Sequence, residues 1–188
     1  MKKFAARWFL RCVKWRIDPA RPTSRKWVLI AAPHTSAWDL PYMLAIAWAI
    51  DQEIAWLGKH QLFRWPFGRL MRWLGGLPVR RDRSERRVSQ LVELMNRSEQ
   101  LALVIPPEAT RARAESWRSG FYHVAVGAKV PIVMGYLDFA HRIGGFGPEL
   151  HPSGDLRRDM DAIRAFYADK VGRRPERSGA IRLAEEGD

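Results

Sequence analysis

The sequence predicts an α/β fold: a single domain with a mostly parallel, twisted sheet flanked by helices, and an amphipathic helix at the N-terminus. Three observations carry this expectation. Short apolar runs of strand length alternate with longer helical stretches, the pattern of parallel strands joined by crossover helices. The chain has 188 residues, which suits one domain. Its hydrophobic share of 47% is enough to build a core around such a sheet.

The elements follow in order. Residues 1–26 carry Lys2, Lys3, Arg7, Arg11, Lys14, Arg16, Arg21, Arg25 and Lys26 against one acid, Asp18. Phe4, Trp8 and Trp15, with Cys12 between them, recur at helical spacing among these charges. A basic helix with an aromatic face has the composition of an interfacial membrane anchor; the same residues can also pack on the domain. Arg7, Arg11 and Lys14 interrupt any apolar core of a secretory signal. The run 27–32, Trp-Val-Leu-Ile-Ala-Ala, reads as a short buried strand. A helix over 38–50 follows, then a strand at 54–57, a helix at 67–74, a strand at 77–79 and a helix at 83–96. A strand at 101–105, a helix at 120–127 and a strand at 132–137 complete the alternation, and 160–171 reads as a last helix on the flank. The tail after Gly172 is rich in charge and poor in apolar residues, and is expected to be loosely held.

The longest apolar stretch, 40–50, falls short of the roughly 20 residues that a membrane span needs, so the chain is expected to lie on a membrane and not to cross it. A second mixed segment runs from Phe63 to Gly76, where Phe63, Trp65, Phe67, Leu70, Met71, Trp73 and Leu74 are spaced by Arg64, Arg69 and Arg72. So many large apolar groups around one Pro-Phe-Gly break fit an acyl-binding or membrane-facing surface as well as a core. Cys12 is the only cysteine, so no intrachain disulfide is possible, and no His/Cys cluster has metal-ligand spacing.

The net charge of +12 implies an anionic partner: nucleic acid, an anionic membrane surface or a phosphorylated substrate. The chemistry-bearing residues begin where the first apolar strand ends. His34 and Asp39, with four residues between them in Ala-Pro-His-Thr-Ser-Ala-Trp-Asp, have the makings of a general base and its orienting carboxylate. The alternative is a capping box, in which Ser36 caps the following helix and Asp39 reaches back; the two arrangements are compatible. Lys59, Arg81 and Arg111 each lie near the end of a proposed strand, where ligands of parallel sheets gather. Three cations beside one histidine repel each other unless an anion joins them, and arginine suits a phosphate well.

His34-x4-Asp39, Gly75 to Arg81, Pro107-Glu108-Ala109-Thr110-Arg111 and Val130-Pro131-Ile132-Val133 resemble, in order and spacing, the four sequence blocks of the glycerolphosphate and lysophosphatidic acid acyltransferases. The resemblance spans about residues 28–137. It implies that His34 is the general base and Asp39 its orienting partner, that Arg81, Glu108, Thr110 and Arg111 bind or position a phosphate-bearing acceptor, and that Lys59 is the lysine ahead of the second block. Residues 130–133 would form the acyl-side or structural wall. The chain is thus expected to divide into a basic amphipathic membrane-interface segment at 1–26 and a polar tail at 173–188, both read from composition, with 27–172 between them as the acyltransferase domain that the resemblance implies. Ala109 departs from the family's usual glycine; if its backbone needs positive φ, alanine is strained there by roughly 1 kcal/mol or more. Pro78, Arg80 and Pro106 depart as well, and bear on the acceptor more than on the chemistry.

The implied reaction moves a fatty acyl group from an acyl thioester, carried by coenzyme A or acyl carrier protein, to the hydroxyl of a lysophospholipid such as 1-acylglycerol 3-phosphate. The thioester is already activated, so no covalent enzyme intermediate is needed, and no Gly-x-Ser-x-Gly elbow is present to supply a nucleophile. No cofactor and no metal are expected, and the place of action would be the cytoplasmic face of the cell membrane, as a peripheral protein on an anionic surface. Rival readings are a different acceptor such as a lyso-aminolipid, a basic nucleic-acid-binding module, or a membrane scaffold without catalysis. The nucleic-acid reading has arginines interleaved with tryptophans in its favour, but no recognised motif, and it leaves His34, Asp39 and Glu108 unexplained.

Overall fold

Val28, Ile30 and Ala32 alternate with Trp27 and Leu29 along the first long strand, and all five are buried. Alternate side chains of a strand point to opposite faces, so this strand lies between two helical layers. A computed structural model of the chain describes residues 1–79 and 84–186. Its elements run α1 (Lys2–Cys12), β1 (Arg16–Ile17), β2 (Lys26–Ala32), α2 (Asp39–Ala49), β3 (Ala55–Lys59), a 3₁₀ turn at His60–Phe63, α3 (Gly68–Trp73) and β4 (Gly76–Val79). They continue with α4 (Ser84–Arg97), β5 (Leu101–Ile105), α5 (Gly120–Ala128), β6 (Ile132–Asp138), β7 (Ile143–Leu150), α6 (Leu156–Tyr167) and short turns at Pro175–Arg177 and Ala184–Glu186.

Among the described residues the strands form one seven-stranded sheet in the order β1-β7-β6-β2-β5-β3-β4. The five strands from β6 to β4 are mutually parallel; β7 pairs antiparallel with β6, and β1 runs parallel to β7. Val28, Ile30, Leu103, Ile132 and Met134 face a core layer built from Leu91 and Met95 of α4, Phe121, Val124 and Ala125 of α5, and Met160, Ile163 and Tyr167 of α6. Trp27, Leu29, Val104 and Val133 face the other layer, with Leu44, Ala47 and Ile50 at α2 and Phe63 beyond β3. The chain leaves β2 through α2 on one face and leaves β5 through α5 on the other. The crevice between the carboxyl ends of β2 and β5 is therefore the topological switch point of the sheet, the place where α/β folds bind ligands.

The expected alternation of strands and helices over 27–137 is present, with ends shifted by a residue or two. Three elements differ, and for two of them, β7 and the last helix, the physical cause is plain. Neither β1 nor β7 is anticipated by the sequence. β7 reads Ile-Gly-Gly-Phe-Gly-Pro-Glu-Leu, a loop composition, and is a strand because it pairs with β6 and because neighbours occupy the space its glycines leave. A Cβ on Gly144 would lie 2.7 Å from Ile46 Cδ1, so the absent side chain lets α2 close onto the sheet. The last helix starts at Leu156 instead of residue 160 because Asp155 caps it, accepting the Arg158 N–H at 3.1 Å.

The tail is not loosely held over its described part. The Phe139 N–H donates to Val171 O at 2.9 Å and the Trp117 N–H to Arg182 O at 2.7 Å. Leu183 is buried in the main core, and Arg164 pairs with Glu186 at 2.6 Å.

The aromatic face expected on the N-terminal helix is divided. Ala6 and Leu10 are buried with Tyr42, Ala45, Ile46 and Ala49, and Trp15, beyond the helix, packs on Tyr42 and Phe139 with ring centroids 4.4 and 4.9 Å away. Phe4 and Trp8 stay 78% and 64% exposed. Lys2 lies over the Trp73 ring at 4.4 Å and over Trp48 at 5.3 Å, which joins the start of α1 to α3. Trp65, Phe67, Leu70 and Trp73 are exposed as well, while Phe63 is core. Among the described residues no helix is long and apolar enough to cross a membrane.

Candidate active site

The chain turns after Ala32 at the carboxyl end of β2, and residues 33–38 descend into α2. Asp39 opens that helix with its side chain turned inward. Asp39 Oδ2 lies 3.0 Å from Nδ1 of His34 and accepts the Ser36 N–H at 3.0 Å. Ser36 Oγ accepts the Trp38 N–H at 3.2 Å. The carboxylate holds the imidazole and reaches back to the Ser36 N–H, which is half of the expected capping box; the other half is missing, because the N-cap of α2 is Trp38 with no side-chain cap bond, so Ser36 does not cap the helix. The contact fixes the tautomer. With Nδ1–H donated to the carboxylate, the neutral ring keeps its lone pair on Nε2. The Asp39 side chain is 8% exposed and that of His34 24%, so the carboxylate is sealed while the ring remains reachable.

The loop after β5 supplies the second half. Pro106 O accepts the Ala109 N–H at 3.2 Å, closing a tight turn, and Pro107 O accepts the Arg118 N–H at 2.8 Å. Ala109 stands at φ 53°, the left-handed region. This turn drives Glu108 inward, where it is 8% exposed and its Oε1 accepts the backbone N–H of His34 at 3.0 Å. Glu108 Oε2 has no partner among the described residues. Burial pushes the Glu108 carboxyl above the ordinary glutamate range, against the opposing pull of the His34 N–H. Behind it, the Tyr167 hydroxyl of α6 lies 3.2 Å from Ile30 O and 2.9 Å from Gly135 O, placed to donate to carbonyls of both β2 and β6.

The remaining expected residues lie further out. Thr110 and Arg111 are exposed on the rim of the same loop, where Thr110 Oγ1 accepts the Ala112 N–H at 3.2 Å. Lys59 is exposed at the end of β3, two strands from β2, which is about 10 Å at the usual strand spacing. His34, Glu108, Arg111 and Lys59 thus share the carboxyl edge of the parallel strands. Among the described residues of this set only His34, Asp39 and Glu108 are joined by direct contacts, and neither Lys59 nor Arg111 makes an ion pair with another described residue. Arg81 lies outside the described residues. Sequence reasoning assigned Glu108 to the acceptor; its hydrogen bond is to the backbone of His34.

Thr35 went unnoticed in the sequence. It is buried and accepts the Arg174 N–H at 3.1 Å, so the tail borders the site. The proline and arginines of the tail are a signal, but charge alone does not distinguish a docked segment from a solvated one.

A family model described as acyltransferase matches residues 16–135, which contain β1 to β5, the His34/Asp39 pair and the Glu108 turn. The chain is also similar in fold to the crystal structure of the 1-acyl-sn-glycerophosphate (LPA) acyltransferase PlsC from Thermotoga maritima. The TM-score is 0.61 over 89% of this chain and 77% of that one, at 13% sequence identity. No curated protein matches the chain in sequence.

Proposed function

This chain belongs to the acyltransferase family, and we propose that it moves a fatty acyl group from an acyl thioester to the hydroxyl of a lysophospholipid, 1-acylglycerol 3-phosphate in the first instance, with His34 as general base. One observation carries the reading: Nδ1 of a half-buried histidine held 3.0 Å from a sealed carboxylate at the switch point of the sheet. In the first step the acceptor oxygen attacks the thioester carbonyl while its proton passes to Nε2 of His34. Asp39 stabilises the imidazolium through Nδ1–H. In the second step the tetrahedral adduct expels the thiolate, and His34 returns the proton to sulfur, so the ring ends as it began. Acid–base assistance of this kind contributes about 10²–10⁴-fold. Glu108 acts through His34, holding the backbone on which the ring is carried.

Lys59, Thr110 and Arg111 would receive the acceptor's phosphate at the rim, where neither Lys59 nor Arg111 has a carboxylate partner among the described residues, and the resemblance to the acyltransferases adds Arg81 to this set. No cofactor is assigned; the thioester, on coenzyme A or on acyl carrier protein, is a co-substrate. The exposed aromatics of α1 and of 65–73, set among Lys2, Arg64, Arg69 and Arg72, support docking on an anionic membrane surface, at the cytoplasmic face of the cell membrane. The test is incubation of purified protein with labelled acyl thioesters and a panel of lysolipids, phosphate-bearing, neutral and amino-headed, read by mass spectrometry. An acylated phosphate-bearing product is expected. Acylation of the amino-headed lipid alone would move the acceptor assignment, and no transfer to any hydroxyl would overturn the reading.

A further inference from the structure

After α6 the chain forms a strap, 168–186, laid over the carboxyl edge of the sheet. Its path is fixed at both candidate loops. Phe139 N–H to Val171 O ties it to the turn after β6. Gly172 then passes so close to the His34 loop that a Cβ there would lie 2.8 Å from Thr35 Oγ1 and 3.2 Å from Pro33 Cβ, and the Arg174 N–H is bonded to that same hydroxyl. Further on, Arg182 O accepts the N–H of Trp117, and Trp117 forms a bridge with Leu183, in the loop that begins with Glu108.

Two arginines sit on the strap where it crosses the His34 loop. The Arg173 guanidinium lies 5.0 Å from the Trp38 ring centroid and 5.8 Å from that of Phe139. Trp38 immediately precedes Asp39 in the chain. Stacking on aromatic faces fixes the plane of a guanidinium and leaves its N–H edge free to bond. Arg174 is anchored through its backbone, and its side chain is exposed. Three of the strap's four described acids are engaged elsewhere, Asp169 with Lys170, Glu185 with the Ser119 hydroxyl and Glu186 with Arg164, and the fourth, Glu176, makes no described ion pair. Neither Arg173 nor Arg174 has a carboxylate partner among the described residues. The fold therefore sets two arginines on the backbone that crosses the His34 loop, one guanidinium stacked on Trp38 and Phe139 and neither neutralised by a described carboxylate, which suits them to an anion.

We propose that Arg173 and Arg174 bind a phosphate group of a substrate, forming a second cationic wall of the active site. In strand order this wall lies on the β6 side of His34, away from Lys59 and Arg111 on the β5 and β3 side. The inference rests on the acyl-transfer reading for the identity of the substrates. A substrate phosphate has two sources there: the headgroup of the acceptor lipid, and the nucleotide of a coenzyme A thioester.

The experiment is isothermal titration of the full-length protein with coenzyme A, with a short-chain 1-acylglycerol 3-phosphate below its micelle concentration, and with the matching neutral monoacylglycerol. The Arg173→Ala/Arg174→Ala variant is expected to lose about 10-fold or more in affinity for at least one phosphate ligand and none for the neutral lipid. The ligand that weakens identifies the source. The double lysine variant is expected to recover part of the loss, and Arg97→Ala, at the end of α4, none to lose. Unchanged affinity for both phosphate ligands, an equal loss for the neutral lipid, or a wild-type protein that binds neither phosphate ligand would overturn the proposal. Absence of turnover by wild-type protein that still shows the arginine-dependent binding would instead count against the acyl-transfer reading.

Discussion

Glu108 Oε1 accepts the backbone N–H of His34 at 3.0 Å, across 74 positions of sequence. The bond stitches the loop after β5 to the loop after β2 at the point where the sheet reverses its order. It is made by a carboxylate that burial has pushed toward its protonated form. His34 is therefore held twice, at the ring by Asp39 and at the backbone by Glu108.

The Glu108 carboxyl has a pH signature. Its folded value is raised above the ordinary 4.5, so between 4.5 and that raised value the folded state binds more proton than the unfolded one. Stability from this group is present in acid and is lost as pH rises through the window. Glu108→Gln keeps an acceptor for the His34 N–H and removes the titration. Relative to wild type, it is expected to gain stability on going from pH 5 to pH 7.5 in denaturant unfolding. An unchanged difference between the two proteins at both pH values would contradict this.

Ala109 occupies φ 53°, where the family's usual glycine would be at ease. The left-handed region costs a non-glycine residue about 1–2 kcal/mol, and glycine gives back about 0.4–1 kcal/mol through a freer unfolded chain. Ala109→Gly is thus expected to stabilise the protein by about 0.5–1 kcal/mol, seen as a higher denaturation midpoint at unchanged slope. A lower midpoint would mean that the turn is not strained.

Most of this architecture is legible in the sequence because burial on both faces writes itself as unbroken apolar runs: 27–32, 101–105 and 132–137 all lie in central strands. β7 is not legible, since its glycines carry no side-chain pattern and its existence depends on pairing with β6. The strap is hidden for a related reason. Its polar residues are held by backbone bonds to Thr35, Trp117 and Phe139, partners found only after folding. At the site, His34 and Asp39 are readable because their contact is local. The bond from Glu108 to His34 joins two loops and cannot be read from spacing.

The exposed aromatics of α1 predict a membrane phenotype. Phe4→Ser/Trp8→Ser, like removal of residues 1–16, is expected to weaken co-sedimentation with anionic vesicles more than turnover of a soluble short-chain substrate. Ala6 and Leu10 are untouched by the double substitution, so the helix can stay docked. Nearby basic residues contribute about 1 kcal/mol each on an anionic surface, so high salt should release both proteins. Equal vesicle binding by variant and wild type would remove α1 from the membrane surface.

Arg111 at the rim, and Arg81 by the family resemblance, predict an asymmetry in kinetics. Arg111→Ala and Arg81→Ala are expected to raise KM for a phosphate-bearing acceptor about tenfold or more, from the loss of about 1.5–3 kcal/mol per charge-assisted contact, with a smaller effect on KM for the thioester. Steady-state kinetics with each substrate varied in turn measure it. Equal impairment toward both substrates, or toward neither, would place the acceptor's phosphate elsewhere.

The central claim is that His34, oriented by Asp39, is the base. It is tested most directly by single-turnover transfer from labelled acyl thioester to 1-acylglycerol 3-phosphate, followed by mass spectrometry, with circular dichroism recorded on the same samples. His34→Ala is expected to abolish transfer with a native spectrum, and Asp39→Asn to cut the rate strongly by releasing the ring from its tautomer. Near wild-type transfer by folded His34→Ala protein would contradict the account.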